Sequence, residues 1–427
     1  MDQRTPEVTP PKLITALRGF NLLPAIVFLP TRRKCDEAAS EVAADKSQRR
    51  DPERQHLRQE IFEEFASEFP EVLDHKHAKV IVHAGVAAHH AGHIPSWKLL
   101  IERMMSAGLL NALFATSTVA AGVDFPARTV VISNADTRGN DGWRPLTASE
   151  LQQMTGRAGR RGRDNVGFVI LAPGQFQNPK KIAELLKAPP DALESRFRAT
   201  YISLLNLLDA FGNFEQVREI AEKSFAFREK RNAAKAEHIG DLIWLPFENR
   251  AHVLDHFGYL DREAETVTVS GKWLADLRID RPLLVGEALK RGFFDDLTIS
   301  EAAGLMAAVA ADAERSYGEM HSSRRMNDVL ADFDDIVVSV SNVERKNGVE
   351  PVEEINYSAA AAAERWTAGM EWDELVDRTR AEEGDLVRLL SRTGEALRQL
   401  ANLRASNPAA AAIAAAASEA ILREPVR

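Results

Sequence analysis

Five short apolar runs, separated by segments of helical character, limit most strongly how this 427-residue chain can fold. The runs are four to seven residues long and rich in Val, Ile, Leu and Phe, as is typical of strands buried on both faces. Strands that alternate with helices in this way form a parallel sheet with helices on both faces. The predicted strands are Pro24–Pro30, Val80–His83, Leu109–Ala115, Thr129–Ser133 and Val166–Leu171. We therefore expect an α/β domain in the first part of the chain.

Ligands of parallel sheets lie at the carboxyl ends of the strands. Four chemically unusual segments are predicted to begin there: those from Thr31, His83 and Thr116 onward, and an arginine-bearing helix before the fifth strand. After Thr116, hydroxyl groups and free backbone amides at a helix start are ready phosphate ligands. Gly122 permits a tight reversal, and Asp124 then offers a carboxylate to a ribose hydroxyl. The alternative is an ordinary capped turn between a strand and a helix.

The segment Gln153–Gly162, which reads QMTGRAGRRG, carries three arginines interleaved with glycines. A helix is predicted to lead into it, because Thr147 followed by Glu150 three residues later forms a capping box. On a helix, Arg157 and Arg160 would share one face, so that both guanidinium groups could reach one polyphosphate. The alternative is a solvated basic helix end.

Histidines crowd the second segment, at positions 83, 89, 90 and 93. We predict no metal site there, because the sequence nearby lacks the acidic residues and cysteines that complete such sites. Polar contacts with a nucleic-acid backbone, or structural hydrogen bonds, fit this cluster better. Asp36, in the helix after the first strand, is interpreted as surface charge.

Composition limits the functional classes. The length suggests two or three domains, and the formal charge of −9 with a pI of about 5.8 favours nucleic-acid binding in a local groove over a basic surface. The single cysteine, Cys35, fits a reducing compartment. The sequence contains neither a signal-peptide pattern at its start nor an apolar run of about 18 residues. We therefore expect a soluble cytoplasmic protein without membrane contact.

Four sequence elements follow one another in a recognisable order. They are AIVFLPTRR from Ala25, GVAAHHAG from Gly85, FATSTVAAGVDFPART from Phe114, and QMTGRAGRRG from Gln153. In this order they resemble the second RecA-like domain of superfamily-two helicases. Within them, His-His-Ala-Gly and Pro-Ala-Arg-Thr are similar to the superkiller-type RNA helicases that feed the exosome.

The remainder of the chain resembles the C-terminal domains of the same helicases. The resemblance implies a leader at 1–20, a second RecA-like domain at 21–188, a winged-helix-like domain at 189–280 and a C-terminal helical bundle at 281–427. Only Arg228–Trp244 stands where eukaryotic members insert a long arch, so we expect no arch.

The segment Glu383–Leu400 is similar to the ratchet helix of the family, which lines the RNA channel. Arg388 and Arg392 are four residues apart and would share one helix face. Contact with a threaded strand requires such an arrangement. The alternative is a solvated face of an amphipathic helix.

The resemblance also implies roles for individual residues. Gln153, Arg157 and Arg160 would face the β- and γ-phosphates of ATP. Asp124, beside Gly122, would hold the ribose. The residues expected to contact nucleic acid are Thr31, Arg32, His90, Thr116, Ser117, Arg388 and Arg392.

A complete helicase holds ATP and Mg²⁺ between two RecA-like domains, the first of which supplies a Gly-x-x-x-x-Gly-Lys-Ser/Thr phosphate loop and an acidic motif. Neither motif occurs in this sequence. We therefore expect the Mg²⁺ ligands in a missing partner domain, acting in cis or in trans, and predict that the chain alone is inactive.

The resemblance as a whole implies the C-terminal part of an ATP-dependent RNA helicase that moves 3′ to 5′ along single-stranded RNA. No partner in RNA degradation is indicated. The alternatives are a stand-alone nucleic-acid-binding or regulatory module without ATPase activity, and half of a DNA-repair helicase.

Overall fold

The computed structural model describes residues 7–46, 51–120, 127–139, 142–195, 197–227, 239–312, 315–351 and 354–427. The chain divides into two compact units, Met1–Ala192 and Leu193–Arg427. Apolar side chains form a separate core in each unit. No helix in the described ranges is long and apolar enough to cross a membrane.

Five strands of the first unit form one parallel sheet. In chain order, the strands β1–β7 are Ala25–Phe28, Val86–His89, Ala112–Ala115, Thr129–Ile132, Asp136–Gly139, Gly142–Pro145 and Phe168–Leu171. The order in the parallel sheet is β2-β3-β1-β4-β7, and β5 and β6 form a separate antiparallel hairpin. Every residue of β1 to β4 is buried, as their apolar composition predicts. The predicted α/β fold is confirmed.

The second strand lies later in the chain than predicted. Val80–His83 belongs to the helix Ala78–Ala84, and the strand follows at Val86–His89. A short apolar run fits a strand or a buried helix segment equally well. Two features outside the run favour the helix: Gly85 ends it with a φ of +63°, and the guanidinium of Arg58 donates to two of its last carbonyl oxygens.

Helices flank the sheet of the first unit. In chain order, α1–α7 are Pro10–Gly19, Arg32–Ala44, Pro52–Glu68, Ala78–Ala84, Pro95–Ser106, Ala148–Thr155 and Pro179–Lys187, and 3₁₀ turns lie at Pro70–Val72 and Ser117–Ala120. Four helices begin with proline, whose missing N–H group has no role in a first turn. The predicted capping box of Thr147 and Glu150 is present at the start of α6. Helix α1 buries Ile14 and Leu17 in the core, so residues 10–19 belong to the fold and not to a leader.

The second unit is predominantly helical. Helices α8–α18 are Tyr201–Phe211, Phe214–Glu222, Ile239–His256, Val269–Asp276, Pro282–Lys290, Ile299–Ala310, Arg324–Lys346, Tyr357–Thr367, Trp372–Thr379, Glu383–Ala401 and Pro408–Ile421. Strands β8 and β9, Leu260–Asp261 and Thr266–Val267, pair as a short antiparallel hairpin within the region predicted to be winged-helix-like. Gly271 lies inside α11, where a side chain would collide with the carbonyl of Tyr259. Residues 228–238, at the position expected for an arch, lie outside the described residues.

Alanine-rich helices pack closely in the second unit. Helix α13 contacts α15, and α17 contacts α18. Ala359–Ala363 of α15 is fully buried, and a Cβ atom on Gly304 of α13 would lie 3.1 Å from the carbonyl oxygen of Ala360. Small residues at these contacts reduce the distance between helix axes. The alanine-rich stretches therefore serve packing.

Candidate nucleotide and nucleic-acid interface

Two of the predicted nucleic-acid segments lie side by side at the carboxyl edge of the sheet. Strands β1 and β3 are adjacent and parallel, and the backbone N–H of Leu29 donates to the carbonyl of Ala115 at 2.8 Å. The segments that start at Thr31 and Thr116 continue from these two strand ends. The tertiary structure thus brings them together as the α/β pattern predicts.

Thr31 and Arg32 begin helix α2. The hydroxyl of Thr31 accepts a hydrogen bond from the backbone N–H of Lys34 at 3.3 Å, so Thr31 caps this helix. Arg32 is half-buried. A polyanion that reaches this edge meets the start of a helix, where the helix dipole is positive.

Hydroxyl groups line the edge after β3. The Oγ1 atoms of Thr116 and Thr118 lie 2.9 Å apart, and Ser117 Oγ lies 3.4 Å from Thr137 Oγ1 on β5. Both predicted contact residues, Thr116 and Ser117, are half-buried. A 3₁₀ turn follows, in place of the expected α-helix. The predicted ribose site at Gly122 and Asp124 lies outside the described residues.

The histidines do not form one group at a strand end. His83 is exposed in α4, before β2, and its Nδ1 lies 2.9 Å from the side-chain amide of Gln55. His89 is the last residue of β2, and His90 and His93 follow it. His90 is 1% exposed; its Nε2 lies 3.1 Å from Asp36 Oδ1, and its Nδ1 accepts from the backbone N–H of the second residue along. The predicted contact between His90 and a nucleic-acid backbone stays a prediction, since the side chain points inward here.

Asp36 is not the surface charge that its position in a helix suggested. Its carboxylate is 18% exposed and accepts from His77, His90 and His93, while the Nζ of Lys76 lies 2.7 Å away. Burial alone would raise the pKa of Asp36, but these hydrogen bonds outweigh it and hold the pKa well below its ordinary range. An acidic partner for the histidines is therefore present, contrary to the interpretation of the sequence, because helix α2 brings it from 54 residues away.

The arginine segment follows a helix but is not itself helical. Helix α6 ends at Thr155, and Arg157 and Arg160 lie in the turns beyond it, so the prediction of a shared helix face is wrong. No helix continues through the arginines, because Gly159 has a φ of +93° and Gly162 a φ of +75°, which other residues rarely adopt.

The arginine segment also lies at the opposite edge of the sheet from the one predicted. Helix α6 begins near the carboxyl end of β4, where Leu146 N–H donates to the carbonyl of Ala135. At its other end, the N–H of Gly159 donates to the carbonyl of Ala127, which precedes β4. The arginines therefore stand at the amino ends of β4 and β7. Alternation of strands and helices could not show this, because it does not say where a helix ends relative to the sheet.

Arg160 is held by a buried carboxylate. Its Nε and Nη2 donate to the two carboxylate oxygens of Asp164 at 2.7 and 2.9 Å, and its backbone N–H donates at 3.0 Å. The Asp164 side chain is 2% exposed, and Arg128 lies 3.6 Å from it. The hydrogen bonds from Arg160 lower the pKa of Asp164 to about 2. This bidentate pair fixes the plane of the guanidinium group. Asp164 was missed in the sequence, although its spacing of four from Arg160 is a local signal.

The two other residues predicted to face phosphates differ from each other in exposure. Gln153 is exposed on α6, one turn before the arginines, and Arg157 is half-buried in the turn after the helix. Gly167, just before β7, allows this turn to approach closely, because a Cβ atom on Gly167 would lie 2.5 Å from the carbonyl oxygen of Ala158. The segment thus presents its side chains from a backbone with little freedom.

In the second unit, Arg388 and Arg392 are exposed on one face of helix α17, as predicted. The guanidinium of Arg392 forms ion pairs with Asp280 and with Asp312, whose side chains are 69% and 70% exposed. Neither aspartate could be found from the sequence, because they lie 112 and 80 residues from Arg392. A cavity of about 190 Å³ adjoins this pair, lined in part by Arg281 and Met306.

Comparison with known protein families covers most of both units. Residues 61–162 match the helicase conserved C-terminal domain, and residues 264–427 match the DSHCT (NUC185) domain. The first match contains the histidine, hydroxyl and arginine segments described above. The second contains helix α17.

Known proteins with similar sequences include three helicases. Superkiller complex protein 2 of Homo sapiens is 35% identical over 232 residues, which is 52% of this chain and 18% of that protein. Exosome RNA helicase MTR4 of Homo sapiens is 34% identical over 201 residues, 46% of this chain and 19% of that protein. The probable helicase HelY of Mycobacterium tuberculosis is 33% identical over 220 residues, 51% of this chain and 24% of that protein.

The chain thus spans about a fifth to a quarter of the length of these relatives. The matched domains, the relatives and the order of the motifs agree. The chain is similar to the C-terminal part of the superkiller type of superfamily-two helicases.

Proposed function

We propose that this chain supplies the second motor domain and the nucleic-acid channel of an ATP-dependent RNA helicase that moves 3′ to 5′. The phosphate loop and the Mg²⁺ ligands would come from a first RecA-like domain, in cis or in trans, in the cytoplasm. The observation that carries the proposal is the fixed orientation of Arg160, since a guanidinium locked by a buried carboxylate is suited to a phosphate that arrives from a partner.

In this proposal, Arg157 and Arg160 act as arginine fingers on the β- and γ-phosphates of ATP, with Gln153 beside them. Arginine fingers stabilise the negative charge that develops as the phosphoryl group leaves, and contribute roughly 10³–10⁵ in rate. Asp124 and Gly122 would hold the ribose. Because Arg160 is already oriented, little ordering would remain when ATP binds.

In the first unit the nucleic-acid strand would contact the carboxyl edge of the sheet, and in the second unit it would contact helix α17. Thr31, Arg32, Thr116 and Ser117 offer hydroxyl groups, a cation and backbone amides to phosphate, with no pattern that reads bases. His90 would support this edge from inside. In the second unit, Arg388 and Arg392 would hold the strand between steps. Such binding does not depend on sequence and weakens with salt.

The proposal is tested by ATP hydrolysis with and without single-stranded RNA. The chain alone should hydrolyse no ATP, whereas the chain with a protein that supplies the phosphate loop and acidic motif should show RNA-stimulated hydrolysis. Hydrolysis by the chain alone would contradict the proposal. RNA binding without hydrolysis in the complete mixture would favour the alternative, a nucleic-acid-binding or regulatory module. Single-stranded DNA as the better activator would favour a DNA-repair helicase.

A further inference from the structure

Three imidazole rings converge on one carboxylate oxygen in the first unit. The Nε2 atoms of His77, His90 and His93 lie 3.0, 3.1 and 3.2 Å from Oδ1 of Asp36. The rings of His90 and His93 are 3.8 Å apart. These groups come from helix α2, the segment before α4 and the loop after β2. The cluster therefore joins three parts of the chain at one atom.

The cluster is enclosed, and part of its hydrogen-bonding capacity is not used. The three histidines are 1–3% exposed. Within the described residues, Nδ1 of His77 and Nδ1 of His93 have no hydrogen-bond partner, nor has Nε2 of His75, whose ring stacks on Trp97 at 3.7 Å. Buried polar atoms are usually satisfied, so such a concentration of exceptions requires an explanation.

We propose that Asp36, His90 and His93 bind one divalent transition-metal ion, Zn²⁺ by the nature of these donors. Their ligand atoms lie within 4.8 Å of one another. Imidazole nitrogen and carboxylate oxygen are preferred ligands of Zn²⁺. The fourth ligand is His77, from the other side of the carboxylate, or solvent that enters past Lys76.

The distances in the cluster fit a tetrahedral metal site. With metal–ligand bonds of about 2.1 Å, the edges of a tetrahedron are about 3.4 Å long. The two edges from Asp36 to His90 and His93 are already 3.1 and 3.2 Å. The side chain of Lys76, which neutralises the carboxylate, is 60% exposed and can move into solvent when a metal ion takes over its charge.

Both histidines must change tautomer when the metal binds. Nδ1 of His90 accepts from the backbone N–H of Gly92 at 3.1 Å, so the ring carries its proton on Nε2 in this structure. Coordination through Nε2 moves that proton to Nδ1 and breaks the bond to Gly92. His93 also donates from Nε2 to Asp36, so its proton moves to Nδ1 as well, where no hydrogen bond has to break.

The inference does not depend on the proposed helicase function. A bound ion would fix the start of α2 to the loop after β2. Such a site stabilises the fold and takes no part in ATP hydrolysis.

The test is titration of the full chain, without a histidine tag and after treatment with a chelator, with Zn²⁺ in a calorimeter. One equivalent should bind and raise the melting temperature of the first unit. With Co²⁺ as a probe, the intense visible absorption of tetrahedral coordination should appear at the same stoichiometry. The proposal would be overturned if neither Zn²⁺ nor Co²⁺ saturates the chain at one equivalent.

Two variants with the same chemical change separate the cluster from other histidines. His93→Gln should weaken Zn²⁺ binding by at least about 100-fold, the upper end of the loss caused by outer-shell partners. His83→Gln, in the exposed helix before β2, should bind as the unchanged chain does. His77→Gln distinguishes the fourth ligand, since it weakens binding only if His77 coordinates.

The alternative is that the cluster is only a hydrogen-bond network. Equal Zn²⁺ affinity in the unchanged chain and in His93→Gln would establish this and overturn the metal site. If His93→Gln does not fold, the Co²⁺ spectrum of the unchanged chain still decides between the two outcomes.

Discussion

Arg160 in the first unit and Arg392 in the second are both paired with aspartate, but the two pairs differ in kind. Asp164 lies four residues from Arg160 and is 2% exposed, whereas Asp280 and Asp312 come from distant parts of the chain and are about 70% exposed. The first pair is bidentate and enclosed. Arg392 instead forms two exposed ion pairs, which contribute little to stability because water and salt screen them.

This difference matches two different chemical tasks. A group that stabilises a transition state must be oriented before the reaction, so a rigid local carboxylate suits Arg160. A group that holds and releases a moving strand must exchange partners, so weak exposed carboxylates suit Arg392. Under the proposed function, phosphates of the strand would displace Asp280 and Asp312 from Arg392, while Asp164 would keep Arg160.

The largest expected effect is on ATP hydrolysis. Arg160→Ala, in the complete enzyme that includes the phosphate-loop domain, should lower kcat by roughly 10³–10⁵-fold, the contribution of an arginine finger. RNA affinity should stay nearly the same, because this residue faces the nucleotide. Arg163→Ala, a nearby exposed arginine, is the matched control. Undiminished hydrolysis in Arg160→Ala would end the assignment of Arg160 as a finger.

A smaller loss is expected when only the orientation of Arg160 is disturbed. Asp164→Asn keeps the shape but removes the charge, so the guanidinium loses its bidentate partner. Misplacement of a catalytic group by about 1 Å costs roughly 10²-fold, and kcat should fall by about this factor while KM for ATP changes less. Asp164→Glu should recover part of the activity. If the loss of kcat in Asp164→Asn is accompanied by a matching loss of thermal stability, the role of Asp164 is purely structural.

The comparison of buried and exposed groups extends to acid stability. Burial lowers the pKa of His93 from 6.5 to about 4 and that of His75 to about 2. At a pH between 6.5 and the lowered pKa of each histidine, the unfolded chain binds a proton that the folded unit does not. The free energy of unfolding therefore falls as the pH drops below 6.5. Each such histidine, if independent, contributes a loss of about 2 kcal/mol between pH 7 and 5.

Asp36 adds a second loss at lower pH. Its pKa is depressed in the folded unit, so its contribution is present above the ordinary value of 3.8 and is lost as the pH falls further. Urea unfolding at several pH values, with a chelator present and tryptophan fluorescence as the signal, measures both losses. His93→Leu should flatten the upper part of the profile. A profile that is flat from pH 7 to 5 in the unchanged chain would contradict the buried neutral histidines.

The smallest expected effect is on nucleic-acid affinity. Asp280→Asn and Asp312→Asn should each raise the affinity for single-stranded RNA by about 1.4- to five-fold, because exposed ion pairs are worth roughly 0.2–1 kcal/mol. Arg392→Ala should lower affinity and reduce the slope of its salt dependence by about one. Asp377→Asn, an equal charge change on another helix, serves as control. If Asp280→Asn and Asp377→Asn bind RNA with the same affinity, Asp280 does not compete with RNA for Arg392.

Much of the fold could be predicted from local patterns. Thr31 and the Thr147–Glu150 box mark helix starts by side-chain bonds within three residues, and four of the five apolar runs contain the strands of the sheet. The exception is Val80–His83, where the deciding contact comes from Arg58 on another helix. The β5–β6 hairpin, which has few apolar residues, was not predicted.

The sequence by itself determined the alternation of strands and helices, the helical second unit and the similarity to superkiller-type helicases. These depend on spacing within a few residues or on motifs in order, and neither requires knowledge of how distant segments meet. Only the tertiary structure decided that Asp36 joins the histidines, that the arginine turns stand at the amino ends of β4 and β7, and that Arg392 has two carboxylate partners. The physical reason is that each of these contacts joins residues far apart in the chain, and the order of strands and the lengths of helices, which set such contacts, leave no local trace.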